Sequence, residues 1–286
     1  MRILLTGANG QVGWELRRTL ATLGTVIAPT SQELDLAQPD TIRQVVRETA
    51  PQLIVNPAAH TAVDKAENEE ALAQAINGTA PGILAEEARR LNAALIHYST
   101  DYVFDGSQNR PYNEADTPCP INSYGRSKLA GEQAVMASGC AHLIFRTSWV
   151  YGMRGKNFLL TMQKLLAERA ELNIVADQIG APTWCRSIAE ASSQILAQLR
   201  MDAGRIREVS GIYNLTCAGQ TSWHGFAQAI ARRTGSACRL NAIPTAAYPT
   251  PAKRPLNSVL AHDRLTLTFG LHMPQWEHAL ELCLQH

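Results

Sequence analysis

A tyrosine and a lysine spaced four residues apart are the side chains in this sequence best suited to proton chemistry. They are Tyr124 and Lys128, in the segment Asn-Ser-Tyr-Gly-Arg-Ser-Lys. If Asn122 or Ser123 caps a helix here, both side chains lie on one helix face. A cation beside a phenol favours the phenolate, so we expect Lys128 to lower the pKa of Tyr124 towards neutral. Such a phenol can donate and accept a proton, but the pair needs a fitting context to count as a site.

That context begins at the N-terminus, where a short apolar strand runs into a glycine-rich turn and then into an amphipathic helix. The turn reads Gly-Ala-Asn-Gly-Gln-Val-Gly from residue 7 to residue 13. Gly7 would permit the tight turn, Gly10 a close approach of backbone to a pyrophosphate, and Gly13 close packing of helix on strand. The helix N-terminus would present N–H groups to the phosphates. Strand, turn and helix in this order predict a dinucleotide-binding unit.

Bulk composition excludes several classes of protein. The chain has 286 residues, 45% of them hydrophobic, and a formal net charge of +1. Since no block of Lys or Arg stands out, we expect neither a nucleic-acid nor a membrane partner. Without a leader pattern or an apolar run near the ~18 residues of a span, we expect a soluble, cytoplasmic protein. The six cysteines lack a C-x-x-C spacing and the eight histidines lack H-E-x-x-H, which predicts reduced thiols and no metal site.

The first half of the chain alternates short β runs with helical stretches. We expect strands at 2–6, 25–28, 53–56, 94–99 and 142–147, and helices at 11–23, 39–49, 68–91 and 122–138. This alternation predicts an α/β fold, a Rossmann-like doubly wound parallel sheet. The dinucleotide-binding domain should cover 1–150, with return segments near 175–205. Residues 151–286 should form mainly a smaller, irregular substrate-binding lobe, with helices at 157–170, 186–200 and 275–284.

In sheets of this kind, ligands lie beyond the carboxyl ends of the strands. Polar segments follow three predicted strands, at 56–60, 99–102 and 147–152. After the second strand the sequence reads Pro29-Thr30-Ser31, without the acid that typically binds the adenosine ribose of NAD. We therefore expect use of NADPH with NADH tolerated, and Ser31 among the cofactor contacts.

Together these segments resemble the extended short-chain dehydrogenases/reductases, and within them the dTDP-4-dehydrorhamnose reductase family. The resemblance runs nearly end to end, through 10–16, 58–67, 97–104, 145–151, 177–183 and 254–258. It implies reduction of the 4-keto group of dTDP-4-dehydro-6-deoxy-L-mannose (dTDP-6-deoxy-L-lyxo-4-hexulose) to dTDP-L-rhamnose. That reaction is the last step of dTDP-rhamnose biosynthesis, which serves lipopolysaccharide O-antigen.

The resemblance also implies which residues act. Tyr124 would protonate the substrate oxygen, Thr100 would hold it, and Lys128 would bind the nicotinamide ribose. The implied cofactor contacts are Gly7, Gly10, Gln11, Val12, Gly13, Ser31, Asp35, Leu36, Ala59, His60, Thr61, Tyr98, Tyr124 and Lys128. The implied substrate contacts are Thr100, Asp101, Tyr102, Trp149, Arg254 and Asn257.

Several other aromatic and ionisable residues are interpreted as structural and not as part of the site. Trp223 and Phe226, at helical spacing, are interpreted as core. His60 is interpreted as a packing or hydrogen-bonding residue and not a base. The carboxylates at 67, 69 and 70 are interpreted as a solvated helix face.

The sequence departs from the family at one place. Some family members bind Mg²⁺ through glutamates at a subunit interface, and Glu15 and Glu277 match two of those positions. The third falls at Arg186. A cation in place of an oxygen ligand argues against Mg²⁺ here, and the chain is expected to be a monomer or homodimer.

Two alternative functions remain open at this point. One is a nucleotide-sugar epimerase or 4,6-dehydratase of the same superfamily, although Tyr102 stands after Asp101 where dehydratases usually carry a second acid. The other is a non-catalytic binding subunit, because the same fold also serves regulatory partners.

Overall fold

The structure is a computed structural model that describes residues 1–285. The strands are β1 (Arg2–Leu5), β2 (Thr25–Ile27), β3 (Leu53–Asn56), β4 (Ala94–Thr100), β5 (Ala141–Thr147), β6 (Val150–Tyr151), β7 (Glu171–Val175), β8 (Ile179–Gly180), β9 (Thr183–Trp184), β10 (Gly211–Asn214), β11 (Thr221–Ser222) and β12 (Arg239–Ile243). The helices are α1 (Gln11–Thr19), α2 (Pro39–Thr49), α3 (Val63–Ala66), α4 (Glu70–Ala73), α5 (Ala80–Arg90), α6 (Ser123–Ser138), α7 (Phe158–Glu168), α8 (Cys185–Gln198), α9 (Ala203–Glu208), α10 (Trp223–Thr234), α11 (Asp263–Phe269) and α12 (Trp276–Leu284). A π-helical segment, Gln74–Thr79, joins α4 to α5.

Six parallel strands form the central sheet, in the order β10-β5-β4-β3-β1-β2. β3 and β4 are buried along their whole length because helices cover both faces of the sheet. The strand order reverses direction beside β1, which creates the crevice where doubly wound folds bind ligands. The predicted Rossmann-like fold is confirmed.

Each face of the sheet packs on its own set of helices. On one face, side chains of α2, α5 and α6 pack on the strands around Leu4, Ile54 and Leu95. On the other face, α1, α8 and α11 pack around Ile3, Val55 and Ile96. This alternation along the strands follows from the two-residue period of a β-strand.

A second core lies in the later part of the chain. It joins α7, α10 and α12 around Phe226 and Trp276, which are 0% and 5% exposed. Phe226 is thus a core residue, as the sequence predicted. β7 and β12 pair in parallel at the edge of this lobe.

The structure corrects several predicted elements. The helix expected at 68–91 is interrupted by the π segment and begins at Glu70. β10, the sixth strand, was not predicted, because Gly-Ile-Tyr-Asn is too short to show alternation. The pair β7–β12 and helices α9 and α11 were not predicted either.

Within residues 1–285, no helix is both long enough and apolar enough to cross a membrane.

Candidate active site

A pocket of about 720 Å³ opens at the carboxyl ends of β1, β3, β4 and β5. Fourteen of the residues proposed from the sequence line it: Gly7, Gly10, Gln11, Val12, Gly13, Ala59, Thr61, Tyr98, Thr100, Asp101, Tyr102, Tyr124, Lys128 and Trp149. Segments more than a hundred residues apart in the chain therefore meet in one cavity.

The glycine turn fits a dinucleotide phosphate. Gly7 has φ +55°, in the left-handed region that favours glycine, and a Cβ there would lie 2.9 Å from Ala58 Cβ. A Cβ on Gly13 would overlap the Gly7 carbonyl, so only glycine lets α1 approach β1 this closely. Gly10 is the N-cap of α1 and no side chain caps the helix, which leaves first-turn N–H groups for an anion.

Helix α6 carries the tyrosine and the lysine, and its start is fixed by three polar side chains. Asn122 is the N-cap, with Oδ1 accepting from Gly125 N at 2.7 Å. Glu67 accepts from Ser123 N at 2.7 Å and Glu70 from Ser123 Oγ at 2.6 Å. Carboxylates are favoured at a helix N-terminus by its dipole. Glu67 and Glu70 therefore anchor α6. Glu69 and Glu70 are exposed, as predicted for a solvated face, whereas Glu67 is half-buried, and the contacts with Ser123 were not predicted.

Burial controls the protonation of both residues. It raises the pKa of Tyr124 to about 12, opposed by the neighbouring Thr100 hydroxyl. Burial lowers the pKa of Lys128 to about 8, opposed by the charge of Glu132. The Lys128 amino group donates to the Tyr98 carbonyl at 2.5 Å. Lys128 is not among the groups that shift Tyr124, so the expected lowering of the Tyr124 pKa is not found.

The residues after β4 form a compact polar turn. Thr100 Oγ donates to Asp101 Oδ1 at 2.9 Å and accepts from Tyr102 N at 3.2 Å. The Tyr102 ring packs edge-on against the Tyr124 ring, with centroids 5.8 Å apart. Burial raises the pKa of Asp101 to about 6 and raises that of Tyr102.

Unpaired polar atoms gather in the same pocket. Ser99 Oγ, Asp101 Oδ2, Thr147 Oγ1 and Ser148 Oγ are buried without a hydrogen-bond partner among the described residues. Hydroxyls of Ser148 and Ser258 are close enough to lower the Asp101 pKa, but the geometry of Oδ2 is not that of a hydrogen bond. Buried polar atoms left open in a cavity are ready contacts for a polar ligand.

Two stacked tryptophans form the wall on the side of the second lobe. The Trp149 and Trp223 rings are parallel within 5°, with centroids 3.5 Å apart. Trp149 has φ +48°, a strained conformation for a bulky residue and one typical of functional sites. Trp223 Nε1 donates to Gln178 Oε1 at 3.1 Å. Trp223 packs against the second core, as predicted, and it also lines the pocket, which was not predicted.

Comparisons with known proteins settle the family. The family model for the RmlD substrate binding domain matches residues 1–286. The chain is similar to the dTDP-4-dehydrorhamnose reductase of Burkholderia thailandensis, with 50% identity over 293 residues, covering 100% of this chain and 98% of the relative. The chain belongs to the dTDP-4-dehydrorhamnose reductase family. The predicted family and enzyme class, an oxidoreductase, are thereby confirmed.

Solved structures of family members share the fold. A dTDP-4-dehydrorhamnose reductase of Clostridium acetobutylicum superimposes with a TM-score of 0.93 at 37% identity, covering 100% of this chain and 99% of that one. The enzyme of Bacillus anthracis, solved in complex with NADP, gives a TM-score of 0.91 at 36% identity, covering 99% and 98% of the two chains.

Six predicted site residues lie outside the pocket lining: Ser31, Asp35, Leu36, His60, Arg254 and Asn257. Ser31 is exposed and Leu36 is buried in the core beside the sheet. Asp35 Oδ1 accepts from Ala37 N at 2.9 Å. Near Ser31, Glu33 folds back so that its carboxylate accepts from Thr30 N at 2.7 Å. An acid therefore does lie at the turn after β2, and the sequence interpretation missed it because Glu33 is displaced along the chain.

His60 and Arg254 are both engaged in pairs beside the pocket. The His60 ring lies 2.8 Å from Glu69 Oε2, in agreement with a hydrogen-bonding role. Arg254 forms a bidentate pair with Asp64, at 2.7 and 2.9 Å, next to the pocket-lining Val63. Asn257 Nδ2 donates to the carbonyls of Gln108 and Arg110 on the loop after β4.

One lining segment escaped the sequence analysis, the loop at 155–157. Asn157 Nδ2 donates to Gln11 Oε1 at 2.9 Å, which ties this loop to the glycine turn. Arg154 lies 3.8 Å above the Trp14 ring. The sequence did offer one indication of this loop: two cations, Arg154 and Lys156, stand beside glycines there, outside the family motifs.

Among the described residues, no cluster of three or more His, Cys, Asp or Glu side chains could hold a metal ion. The Arg186 guanidinium lies 3.4 Å from Glu15 Oε2, where it occupies the carboxylate that a metal would need.

Proposed function

We propose that this chain catalyses the NAD(P)H-dependent reduction of the 4-keto group of dTDP-4-dehydro-6-deoxy-L-mannose to dTDP-L-rhamnose, the last step of dTDP-rhamnose biosynthesis. One observation carries the proposal. Tyr124, Lys128 and Thr100 meet in one pocket with the glycine turn, in a chain of the reductase family.

The protein supplies the proton and the polar surroundings of the reaction. The cofactor, when bound, supplies hydride to C4 of the sugar. Tyr124 carries its proton at neutral pH, since its pKa is about 12, and donates it to the developing alkoxide. Thr100, which lines the same pocket as Tyr124, orients the donor. Lys128, whose pKa is about 8, retains a charge near neutral pH and binds the ribose of the nicotinamide half.

The sugar lies between the turn after β4 and the tryptophan wall. Asp101 and Tyr102 offer polar atoms on one side, and Trp149 offers an apolar face on the other. Arg254 and Asn257 act from outside the lining, by holding the segment 250–258 against Asp64 and the loop at 108–110.

The NADP complex of the Bacillus anthracis relative supports NADPH as cofactor, and we propose that NADH is tolerated. We further propose a cytoplasmic monomer or homodimer that needs no Mg²⁺ and binds neither nucleic acid nor membrane. The product would feed lipopolysaccharide O-antigen synthesis.

The test is oxidation of NADPH by the purified chain, with the dTDP-, UDP- and GDP-linked 4-keto-6-deoxy-L-lyxo-hexuloses compared side by side. We expect turnover with the dTDP sugar and little with the others. Tyr124→Phe keeps the ring and removes the donor, so its rate should fall about 10²–10⁴-fold while NADPH binding persists. Epimerised or dehydrated sugar without net NADPH consumption would indicate the rival enzymes, and bound sugar without any reaction would indicate a binding subunit.

A further inference from the structure

The loop between β6 and α7, residues 152–157, carries two cations that the reduction, as described above, does not use. Lys156 is exposed and lines the pocket together with Gly10 and Gln11 of the glycine turn. Arg154 is exposed as well. Neither cation pairs with a carboxylate among residues 1–285. Cations without a countercharge beside an open pocket attract anionic ligands to it.

Contacts with the glycine turn and with α1 hold this loop in place. Asn157 Nδ2 donates to Gln11 Oε1 at 2.9 Å, and the Asn157 side chain also caps α7. The Arg154 Cζ lies 3.8 Å from the centroid of the Trp14 ring on α1, which is a cation–π contact. Since Lys156 stands between these two anchored residues in the chain, its backbone is fixed beside the glycine turn.

The lining charges leave Lys156 as the cation that an incoming anion can reach. Among the described residues that line the pocket, Asp101 is the only carboxylate, and Lys128 and Lys156 are the only cations. Lys128 is 1% exposed, and its amino group is bound to the Tyr98 carbonyl. The exposed Lys156 ammonium has no such partner among the described residues, so it can turn towards a ligand.

The start of α1 offers further positive charge at the same turn. Within the described chain no side chain caps α1, so its first-turn N–H groups are open to an anion. The carboxylate of Glu15 on this helix is engaged by Arg18 and Arg186, and it does not pair with the loop. A diphosphate at the turn can therefore contact both the helix N–H groups and the Lys156 ammonium.

Two ligands of the proposed reaction contain a diphosphate, the nicotinamide dinucleotide and the dTDP sugar. The loop contacts the glycine turn and α1, through Gln11 and Trp14. In doubly wound folds this turn approaches the pyrophosphate of the dinucleotide. The position of the loop therefore favours the dinucleotide.

We propose that Lys156 binds the diphosphate of the nicotinamide dinucleotide, and that Arg154 positions Lys156 by holding the loop on Trp14. This inference rests on the proposed function, because it takes the dinucleotide as the ligand. It adds to the glycine turn a phosphate contact from a segment about 145 residues further along the chain.

Binding of the cofactor in the absence of sugar tests Lys156 directly. Lys156→Gln should raise the Kd of NADPH, measured by titration of its fluorescence, about 5- to 20-fold, between the effects of an exposed ion pair and of a hydrogen bond to a charged group. The Kd of NADH should rise by the same factor, since both dinucleotides carry the diphosphate. The Kd should also depend less steeply on salt in this variant.

Two variants serve as comparisons for Lys156→Gln. Lys156→Arg keeps the charge, so its Kd for NADPH should stay within about 3-fold of wild type. Lys164→Gln, at an exposed lysine on α7, is the matched control and should bind NADPH as the wild type does.

A double-mutant cycle separates positioning from direct contact. Arg154→Gln alone should raise the Kd of NADPH about 2- to 5-fold, the range for loss of an exposed cation–π contact. In the Lys156→Gln background the same change should have little further effect, because Arg154 acts through Lys156. If the two effects add, Arg154 contacts the phosphate itself and its positioning role is overturned.

The contrary results are distinct. A higher Kd for NADPH but not for NADH would place Lys156 at the 2′-phosphate. A higher Kd for dTDP with unchanged cofactor binding would place it at the diphosphate of the sugar nucleotide. Wild-type affinity of Lys156→Gln for all three ligands would reduce Lys156 to a solvated side chain. If the wild-type chain binds neither NADPH nor NADH, the proposed function itself fails.

Discussion

Lys128 carries its amino group at the bottom of the pocket, with only 1% of the residue exposed. Its nearest countercharge is Glu132, one turn further along α6, but Glu132 is already held in a buried bidentate pair with Arg146 at 2.9 and 2.6 Å. Burial therefore outweighs attraction and lowers the Lys128 pKa to about 8. The protein keeps a destabilising charge where the ribose of a cofactor would bind.

Because burying the Lys128 charge costs free energy, removing it should stabilise the fold while it impairs activity. Because the folded-state pKa of Lys128 lies below its ordinary 10.5, the charged form is penalised below pH 8, and the penalty fades as pH rises from about 8 to 10.5. Lys128→Met should therefore raise the free energy of unfolding by about 1–3 kcal/mol near pH 7. This increase in the free energy of unfolding should shrink near pH 10, because the charge penalty is then nearly gone and the variant still lacks the hydrogen bond to the Tyr98 carbonyl.

Urea unfolding at both pH values measures this change. Lys164→Met, on the exposed side of α7, is the control and should change little. A Lys128→Met variant that is less stable near pH 7 would contradict the dominance of burial.

We expect the preference between NADPH and NADH to depend on a single residue, Glu33. The Glu33 carboxylate, fixed on Thr30 N and Oγ at 2.7 and 2.9 Å, lies at the turn after β2, where a 2′-phosphate would approach. Glu33→Gln keeps an acceptor for Thr30 but removes the charge. The ratio of kcat/KM for NADPH over NADH should rise about 2- to 5-fold, and the change should diminish with salt. Glu48→Gln on α2 is the control, and an unchanged ratio in Glu33→Gln would place the phosphate elsewhere.

At the scale of elements, Asn77 joins the segment at His60, beside the pocket, to helix α6. It lies in the π segment, 1% exposed. Its Oδ1 accepts from His60 N at 2.8 Å, and its Nδ2 donates to the His60 carbonyl at 3.0 Å and to Ser127 Oγ at 3.1 Å. Gly131 permits the contact, since any Cβ there would overlap the Asn77 carbonyl. π-Bulges are frequent at functional sites.

Asn77→Ala should therefore affect both stability and binding. It leaves part-buried backbone groups of His60 without their side-chain partner, so the free energy of unfolding should fall by about 1–3 kcal/mol. The neighbouring Ala59 and Thr61 line the pocket, so the Kd for NADPH should rise as well. Thermal unfolding and titration of NADPH fluorescence measure the two effects. With Asn68→Ala as the exposed control, a stability loss without any change in Kd would refute the link to the cofactor.

The sequence predicted correctly those elements that depend on residues close together in the chain. The cap Asn122, the glycine turn and five of the six sheet strands were visible because capping, tight turns and buried strands need particular residues at fixed spacings. The π segment, which packs on α6, was not visible in the sequence pattern. The contacts of Glu67, Glu70 and Trp223 were not visible either, because each has a partner distant in the chain.

At the scale of the whole molecule, polar contacts beside the pocket join late and early segments of the chain. Arg254 pairs with Asp64 on α3, and Asn122 Nδ2, at the start of α6, donates to the Lys253 carbonyl at 2.8 Å, so the segment 250–258 is joined to both helices. Those contacts depend on chain segments more than a hundred residues apart. Family resemblance pointed to Arg254, but no local pattern could give its partner.

The ionic cluster between α1 and α8 bears on assembly. Glu15 lies between Arg18 and Arg186, and Arg186 Nε is 3.4 Å from Glu15 Oε2. A divalent cation needs several oxygen ligands, and a guanidinium both repels it and occupies the carboxylate it would use. We therefore expect sedimentation and activity to be the same in EDTA and in millimolar Mg²⁺. In Arg186→Glu, which places a second carboxylate beside Glu15, Mg²⁺ should raise the melting temperature, whereas Arg186→Gln should not respond. A wild-type dimer that forms only with Mg²⁺, or activity lost in EDTA and restored by Mg²⁺, would show that Arg186 does not take the place of a metal.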